Sequence, residues 1–205
     1  MRLVDISHVL KKDMPVFPGD EPVRLTPLKN YMNDNYTAYF LQTGLHAGTH
    51  LDMPGHMLDD ARTVADFPPE RFIERGVLLD MRGESVLKMK PAYESHIREG
   101  DIVLLYTGWD VRFHEPDYFR DYPVVDDTLA DFLIGKKIKI LGMDTPSPDR
   151  APYALHKKLL SQDIFILENL TNLHQLLSVP AFEVVALPLK LAAEASPVRA
   201  VCRIP

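Results

Sequence analysis

The sequence predicts an α/β fold: a single domain, residues 1–205, with a mixed β-sheet or barrel-like core and short helices at its periphery. Three observations predict it. Short apolar, β-branched runs recur along the chain and alternate with stretches whose apolar residues fall at helical spacing. The 17 prolines outnumber the 10 glycines and are spread throughout, which favours many short elements joined by stiff loops. At 205 residues, 46% of them hydrophobic, the chain can fill one core without a disulfide or structural metal.

Taken in order, residues 4–7 read as a short strand. Pro15, Pro18, Gly19 and Pro22 then make a turn-rich segment that carries Phe17. Residues 36–45 are rich in aromatic and β-branched side chains and read as a strand. Further strands are expected at 76–81, 102–106, 138–141, 164–167, 184–187 and 198–202. Pro91 opens a helix to residue 97, because its missing N–H costs nothing in a first turn. Residues 127–134 form a second helix, with Leu129, Phe132 and Leu133 on one buried face. Residues 152–160 and 172–177 read as helices on the same grounds.

Charge and cysteine content exclude several function classes. With 29 acidic and 23 basic residues the net charge is −6, and no basic stripe offers a nucleic-acid or anionic-membrane surface. No run approaches 18 apolar residues, so no membrane span is expected. Asp5, Lys11, Lys12 and Asp13 interrupt the first fifteen residues, so no signal core is expected. Cys202 stands alone, which fits a reducing cytoplasm and suits packing better than catalysis. The expected partner is a small-molecule substrate.

Chemistry concentrates in one segment. His46, His50, Asp52 and His56 fall within eleven residues, all at even positions, with Gly48 between them. In an extended chain residues two apart face one side, so 46, 48, 50, 52 and 56 would share a face. Gly48 would leave room there for an ion. Imidazole and carboxylate are standard ligands for zinc and other divalent first-row metals. A straight strand would set His46 and His50 about 13 Å apart, so the backbone should bend at Gly48. Gly48, Pro54 and Gly55 all oppose a helix. A solvated histidine-rich strand is the plain alternative, and His8, His96, His114 and His174 are read as surface or satisfied core residues. Four ligand-competent groups flanked by Leu45, Leu51 and Met53 need partners, and a metal supplies one for all of them.

The run His46-x-Gly48-Thr49-His50-x-Asp52-x-Pro54-x-His56 resembles the signature of the cyclase-like metal-dependent hydrolases, which include bacterial kynurenine formamidases and isatin hydrolases. Asp5-Ile6-Ser7 and Pro15-Val16-Phe17-Pro18-Gly19-Asp20 are similar to that family's opening strand and substrate loop. Thr107-Gly108-Trp109, Gly142-x-Asp144-Thr145-Pro146-Ser147, His156 and Leu167-Glu168-Asn169-Leu170 keep its order and spacing. The resemblance implies that His46, His50 and Asp52 hold one metal. It implies that Asp52 also reaches a second ion bound by His156, that Glu168 completes the shared site, and that His56 stays free as general acid/base. Phe17 would contact substrate, where kynurenine formamidases commonly carry a tryptophan.

Two zinc ions per chain are implied, with manganese as the alternative, and a homodimer or larger homo-oligomer. Such ions polarise a carbonyl and lower the pKa of water toward about 7, while histidine, near pKa 6.5, suits proton donation to a departing nitrogen. The implied activity is hydrolysis of a small non-peptide amide, foremost N-formyl-kynurenine or a related aryl formamide, in tryptophan catabolism. Ring opening of a cyclic amide such as isatin is the alternative, and a non-hydrolytic metal-binding cyclase or binding protein is the contrasting class.

Overall fold

A computed structural model describes residues 1–205. Its strands are β1 (Arg2–Asp5), β2 (Arg24–Lys29), β3 (Ala38–Gln42), β4 (His50–Asp52), β5 (Ile73–Asp80), β6 (Val86–Leu87) and β7 (Ile102–Tyr106). There follow β8 (Val124–Val125), β9 (Ile140–Met143), β10 (Phe165–Glu168), β11 (Phe182–Val185), β12 (Ala195–Pro197) and β13 (Val201–Ile204). The α-helices are short: α1 (Tyr31–Asp34), α2 (Asp127–Gly135) and α3 (Ala154–Leu160).

Nine strands form one mixed sheet in the order β1, β13, β11, β5, β7, β9, β10, β4, β12. Strands β5, β7, β9 and β10 are parallel at its centre, and the flanking pairs are antiparallel. Alternation along β7 sends Ile102, Leu104 and Tyr106 into one core and Val103 and Leu105 into another on the opposite face. The first core contains Val4 of β1 together with Leu51 of β4, from the two ends of the sheet. The sheet therefore curls on itself into a half-barrel. A backbone bond reinforces the curl, from Thr171 N–H just after β10 to Ile6 O just after β1 (3.0 Å).

Helices α2 and α3 cover the second core with Leu129, Ala130 and Leu133 and with Leu155, Leu159 and Leu160. Asp126 caps α2, its carboxylate accepting from Leu129 N–H at 3.0 Å. Residue 91–97 and 172–177 helices shrink to single 3₁₀ turns, Pro91–Ser95 and Leu173–Leu176. Each apolar face there is too short to sustain an α-helix.

The strand expected at 36–45 is confined to β3, and it pairs with β2, which sequence pattern missed because Pro27 interrupts it. This hairpin stands off the main sheet. Tyr39 is 62% exposed and Phe40 54%, so its aromatic content does not reflect burial. The last strands start later or earlier than expected by two or three residues, β13 at Val201 and β11 at Phe182. No helix is long and apolar enough to cross a membrane.

Candidate metal and active site

The site lies at the carboxyl ends of the parallel strands, where open α/β sheets place their ligands. Glu168, the last residue of β10, pairs in register with His50, the first of β4, and Asp52 follows two residues on. Leu51 points into the half-barrel core, so His50 and Asp52 face the opposite side, toward α3. His156 rides on the buried face of α3 with Leu159 and Leu160, spaced so that core packing of the helix delivers the imidazole.

The expected even-residue face is not one strand. Only His50–Asp52 is extended, and Gly48 turns the chain at φ +65°. His56 sits on a 3₁₀ turn, Pro54–His56. Bends, rather than alternation, bring His46 and His56 back, with ring centroids 5.0 Å from His50 to His46 and 4.2 Å from His46 to His56. Gly48 also has another role than leaving room for an ion. A Cβ there would meet Met14 Cε at 2.7 Å, on the side of the small Met14 cluster, and the positive φ favours glycine. Its carbonyl accepts from His50 Nδ1–H (2.8 Å) and from Asn169 Nδ2–H (3.0 Å).

Around this centre the donor atoms converge. His46 Nδ1 is 2.8 Å from Asp52 Oδ1, and His50 Nε2 lies 3.4 Å from both Asp52 Oδ1 and Glu168 Oε2. His156 Nε2 is 3.2 Å from Glu168 Oε1 and 3.9 Å from Asp52 Oδ2. His50 Nε2, both Asp52 oxygens and Glu168 Oε1 are buried with no hydrogen-bond partner. Native interiors rarely leave such groups unsatisfied.

Two carboxylates are thus buried with only imidazoles to balance them. Burial pulls His46 and His156 down, but Asp52 with Glu168, and Asp149 with Glu168, outweigh it and push them up to about 9 and about 10. Burial opposes the charge on Asp52 too, yet His50 and His46 hold its carboxyl below the usual range. A site that draws protons onto its imidazoles is one that calls for positive charge. The donor set of nitrogen and carboxylate oxygen fits a divalent cation, and the triads His46, Asp52, His56 and His50, Asp52, Glu168 each bring their ligand atoms within 4.8 Å of one another. His56 differs from the rest: burial, aided by His46 and His156 and opposed by Asp52, keeps it below the ordinary imidazole value.

A cavity of about 180 Å³ opens over these groups, lined also by Phe17, Phe119, Tyr153 and Asn169. Phe17 reaches it from the proline-rich loop and meets Phe119 edge-on at 5.5 Å. All seven residues singled out in the sequence, Phe17, His46, His50, Asp52, His56, His156 and Glu168, therefore line one cavity.

Sequence reasoning missed the supporting groups. Asp149 Oδ1 lies 2.5 Å from His156 Nδ1, and Glu194 Oε1 lies 3.4 Å from His46 Nε2. Asn169 joins Gly48 to Tyr118, whose hydroxyl donates to its Oδ1 at 2.9 Å. Only the seven-residue spacing from Asp149 to His156 could have hinted at the first. Asp144 anchors the Thr107-Gly108 turn, accepting from both backbone N–H groups and from the Thr107 hydroxyl. His8 stacks on Phe113 at 3.7 Å, outside the cavity, with its Nε2 buried and unpartnered rather than satisfied as expected.

Comparison with known proteins agrees with this geometry. The family model described as putative cyclase matches residues 4–150. A kynurenine formamidase from Bacillus anthracis is 31% identical over 206 residues, covering 98% of this chain and 96% of its own. Isatin hydrolase A from Labrenzia aggregata, solved bound to benzyl benzoate, superposes with a TM-score of 0.88 at 26% identity, covering 99% of this chain and 93% of that one. A structure titled as a potential metal-dependent hydrolase with cyclase activity superposes at 0.80 with 25% identity, covering 100% of this chain and 99% of that one.

Proposed function

The chain belongs to the putative cyclase family, and from that premise we propose that it is a metal-dependent hydrolase of small non-peptide amides, with aryl formamides such as N-formyl-kynurenine as its foremost substrates. The observation that carries this reading is the cluster of buried, unpartnered donor atoms on His50, Asp52 and Glu168 at the floor of an aromatic-lined cavity. His46, His50 and Asp52 would hold one cation, and Asp52, His156 and Glu168 a second, zinc foremost and manganese as the alternative. A divalent cation bound there supplies Lewis acidity to a carbonyl oxygen and ionised water near neutral pH.

The chain's own side chains do the rest. Phe17 and Phe119 offer edge and face to an aryl ring and shed water from the cavity mouth. His56 is held neutral by burial, so it can take a proton from the attacking water and pass it to the departing nitrogen. That transfer is needed because an amide anion is a very poor leaving group. An uncommitted imidazole beside the ligands also favours an enzyme over a metal-binding protein without turnover.

One domain over residues 1–205, a homodimer and a cytoplasmic location complete the reading. The exposed hairpin with Tyr31, Tyr39 and Phe40 supports self-association, and the lone buried Cys202 suits a reducing compartment. Ring opening of a cyclic amide such as isatin is the second reading, favoured by the superposition on an isatin hydrolase. A panel of aryl formamides, isatin-like rings and unsubstituted amides, assayed with zinc and with manganese, tests both. Formamide turnover above the rest supports the proposal. Preference for the rings favours the second reading, and no turnover of any member overturns both.

A further inference from the structure

Side-chain nitrogens at the metal cluster are held by groups outside it, and one of these contacts is strong enough to fix which nitrogen of a ring carries a hydrogen. His156 Nδ1 lies 2.5 Å from Asp149 Oδ1. The other oxygen of the same carboxylate accepts from the backbone N–H groups of Leu155 (2.7 Å) and His156 (3.3 Å), in the first turn of α3. Asp149 is thus pinned from one side by two donors that cannot turn away, and its free oxygen is aimed at the ring. A carboxylate in that position only accepts, so the ring must carry its hydrogen on Nδ1. In the neutral ring the lone pair then sits on Nε2, the atom that faces Glu168 Oε1 at 3.2 Å and Asp52 Oδ2 at 3.9 Å.

We propose that Asp149 is a positioning residue that sets the tautomer of His156 and so makes Nε2 available as a metal ligand; this rests on the reading of His156 as a ligand. The same residue also closes the first turn of α3, so a simple loss of function on removal would not separate its two roles. The pinned geometry does separate them. In Asp149→Asn the two backbone N–H groups still require an acceptor, so the amide oxygen must face them and the NH₂ must face the ring. Nδ1 is then forced to accept, the hydrogen moves to Nε2, and the lone pair leaves the metal side. In Asp149→Ala nothing faces Nδ1, and the ring is free to adopt either tautomer with water.

The two variants should therefore rank in opposite orders in two measurements. Without metal, thermal unfolding should place Asp149→Asn below the wild type but above Asp149→Ala, because the amide keeps the helix acceptor while both variants lose the pairing of the carboxylate with His156. Zinc affinity, read by competition with a chromogenic chelator, should fall roughly 10–100-fold in Asp149→Asn and fall less in Asp149→Ala. The near-isosteric change is expected to be the worse one for metal. Zinc affinity in Asp149→Asn equal to or above that in Asp149→Ala would overturn the assignment. His156→Ala, measured alongside, distinguishes the two levels of inference. Undiminished zinc binding in it removes the ligand reading and the proposal with it. Weakened binding in it, together with the wrong Asn-to-Ala order, removes the tautomer assignment alone.

Discussion

His56 and Asp52 stand four residues apart in the chain, and their surroundings predict opposite consequences of losing them. His56 touches His46 ring to ring at 4.2 Å but makes no ion pair with either buried carboxylate. His56→Ala should keep its metal and its fold while turnover falls roughly 10²–10⁴-fold. Metal analysis and steady-state kinetics on one preparation decide this, and loss of metal in step with activity would make His56 a ligand. Asp52 lies within 3.4 Å of His46 and His50 and 3.9 Å of His156, so it reaches both halves of the cluster. Asp52→Ala should lose more than one equivalent of metal, and full occupancy by elemental analysis would remove it from the site. Both residues were legible in the sequence because type and spacing announce them. Asp149 was not, since an aspartate after Pro148 is equally ordinary turn chemistry, and only the packing of α3 reveals what it faces.

Among the elements, the segment from His46 to His56 shows where sequence pattern succeeds and where it stops. Period-two spacing picked out residues that line one cavity, yet of them only His50 and Asp52 lie on a strand, and a turn at Gly48 and a 3₁₀ turn at Pro54 bring the others in. Bends of this kind depend on what the chain must avoid, here Met14 packed against Gly48, which spacing cannot report. Gly48→Ala should destabilise the protein by about 1–2 kcal/mol, the cost of a left-handed conformation for an L-residue, with Met14 Cε displaced in addition. Because the Gly48 carbonyl orients His50, metal affinity should drop as well. Chemical denaturation and chelator competition would measure the two effects, and unchanged stability would show that this turn can relax without glycine. Central strands such as β7 were legible end to end, since burial on both faces leaves a continuous apolar run. Of the β2–β3 hairpin only β3 was legible, from its aromatic residues, although these face outward; Pro27 interrupts the pattern of β2.

For the whole molecule, the cluster ties folding to pH, and the sign follows from the imidazoles. Metal-free, His46 and His156 are pushed up to about 9 and about 10, by Asp52 and Glu168 and by Asp149 and Glu168, against the burial that lowers them. An unfolded chain releases the same protons near 6.5. Below that value both states hold them, and the stabilisation from pairing with the carboxylates is fully present. Between about 6.5 and about 9 the folded chain binds more protons than the unfolded one, so stability must fall as pH rises. Unfolding temperature in the presence of chelator should therefore decline from pH 7 to pH 9. The two hydrophobic cores on either side of the sheet stay intact, so the decline reports the cluster and not loss of the fold. With zinc bound the imidazoles are already neutral and the cation balances Asp52 and Glu168, so the decline should flatten and the gap between loaded and metal-free protein should widen with pH. Replacing both His46 and His156 by Gln removes most of the protons in question, and the slope in chelator should shrink with them, the remainder belonging to His50, which Asp52 and Glu168 also push up against its burial. A metal-free wild type whose unfolding temperature is flat or rises across this range would show that the two buried carboxylates are not balanced by these histidines.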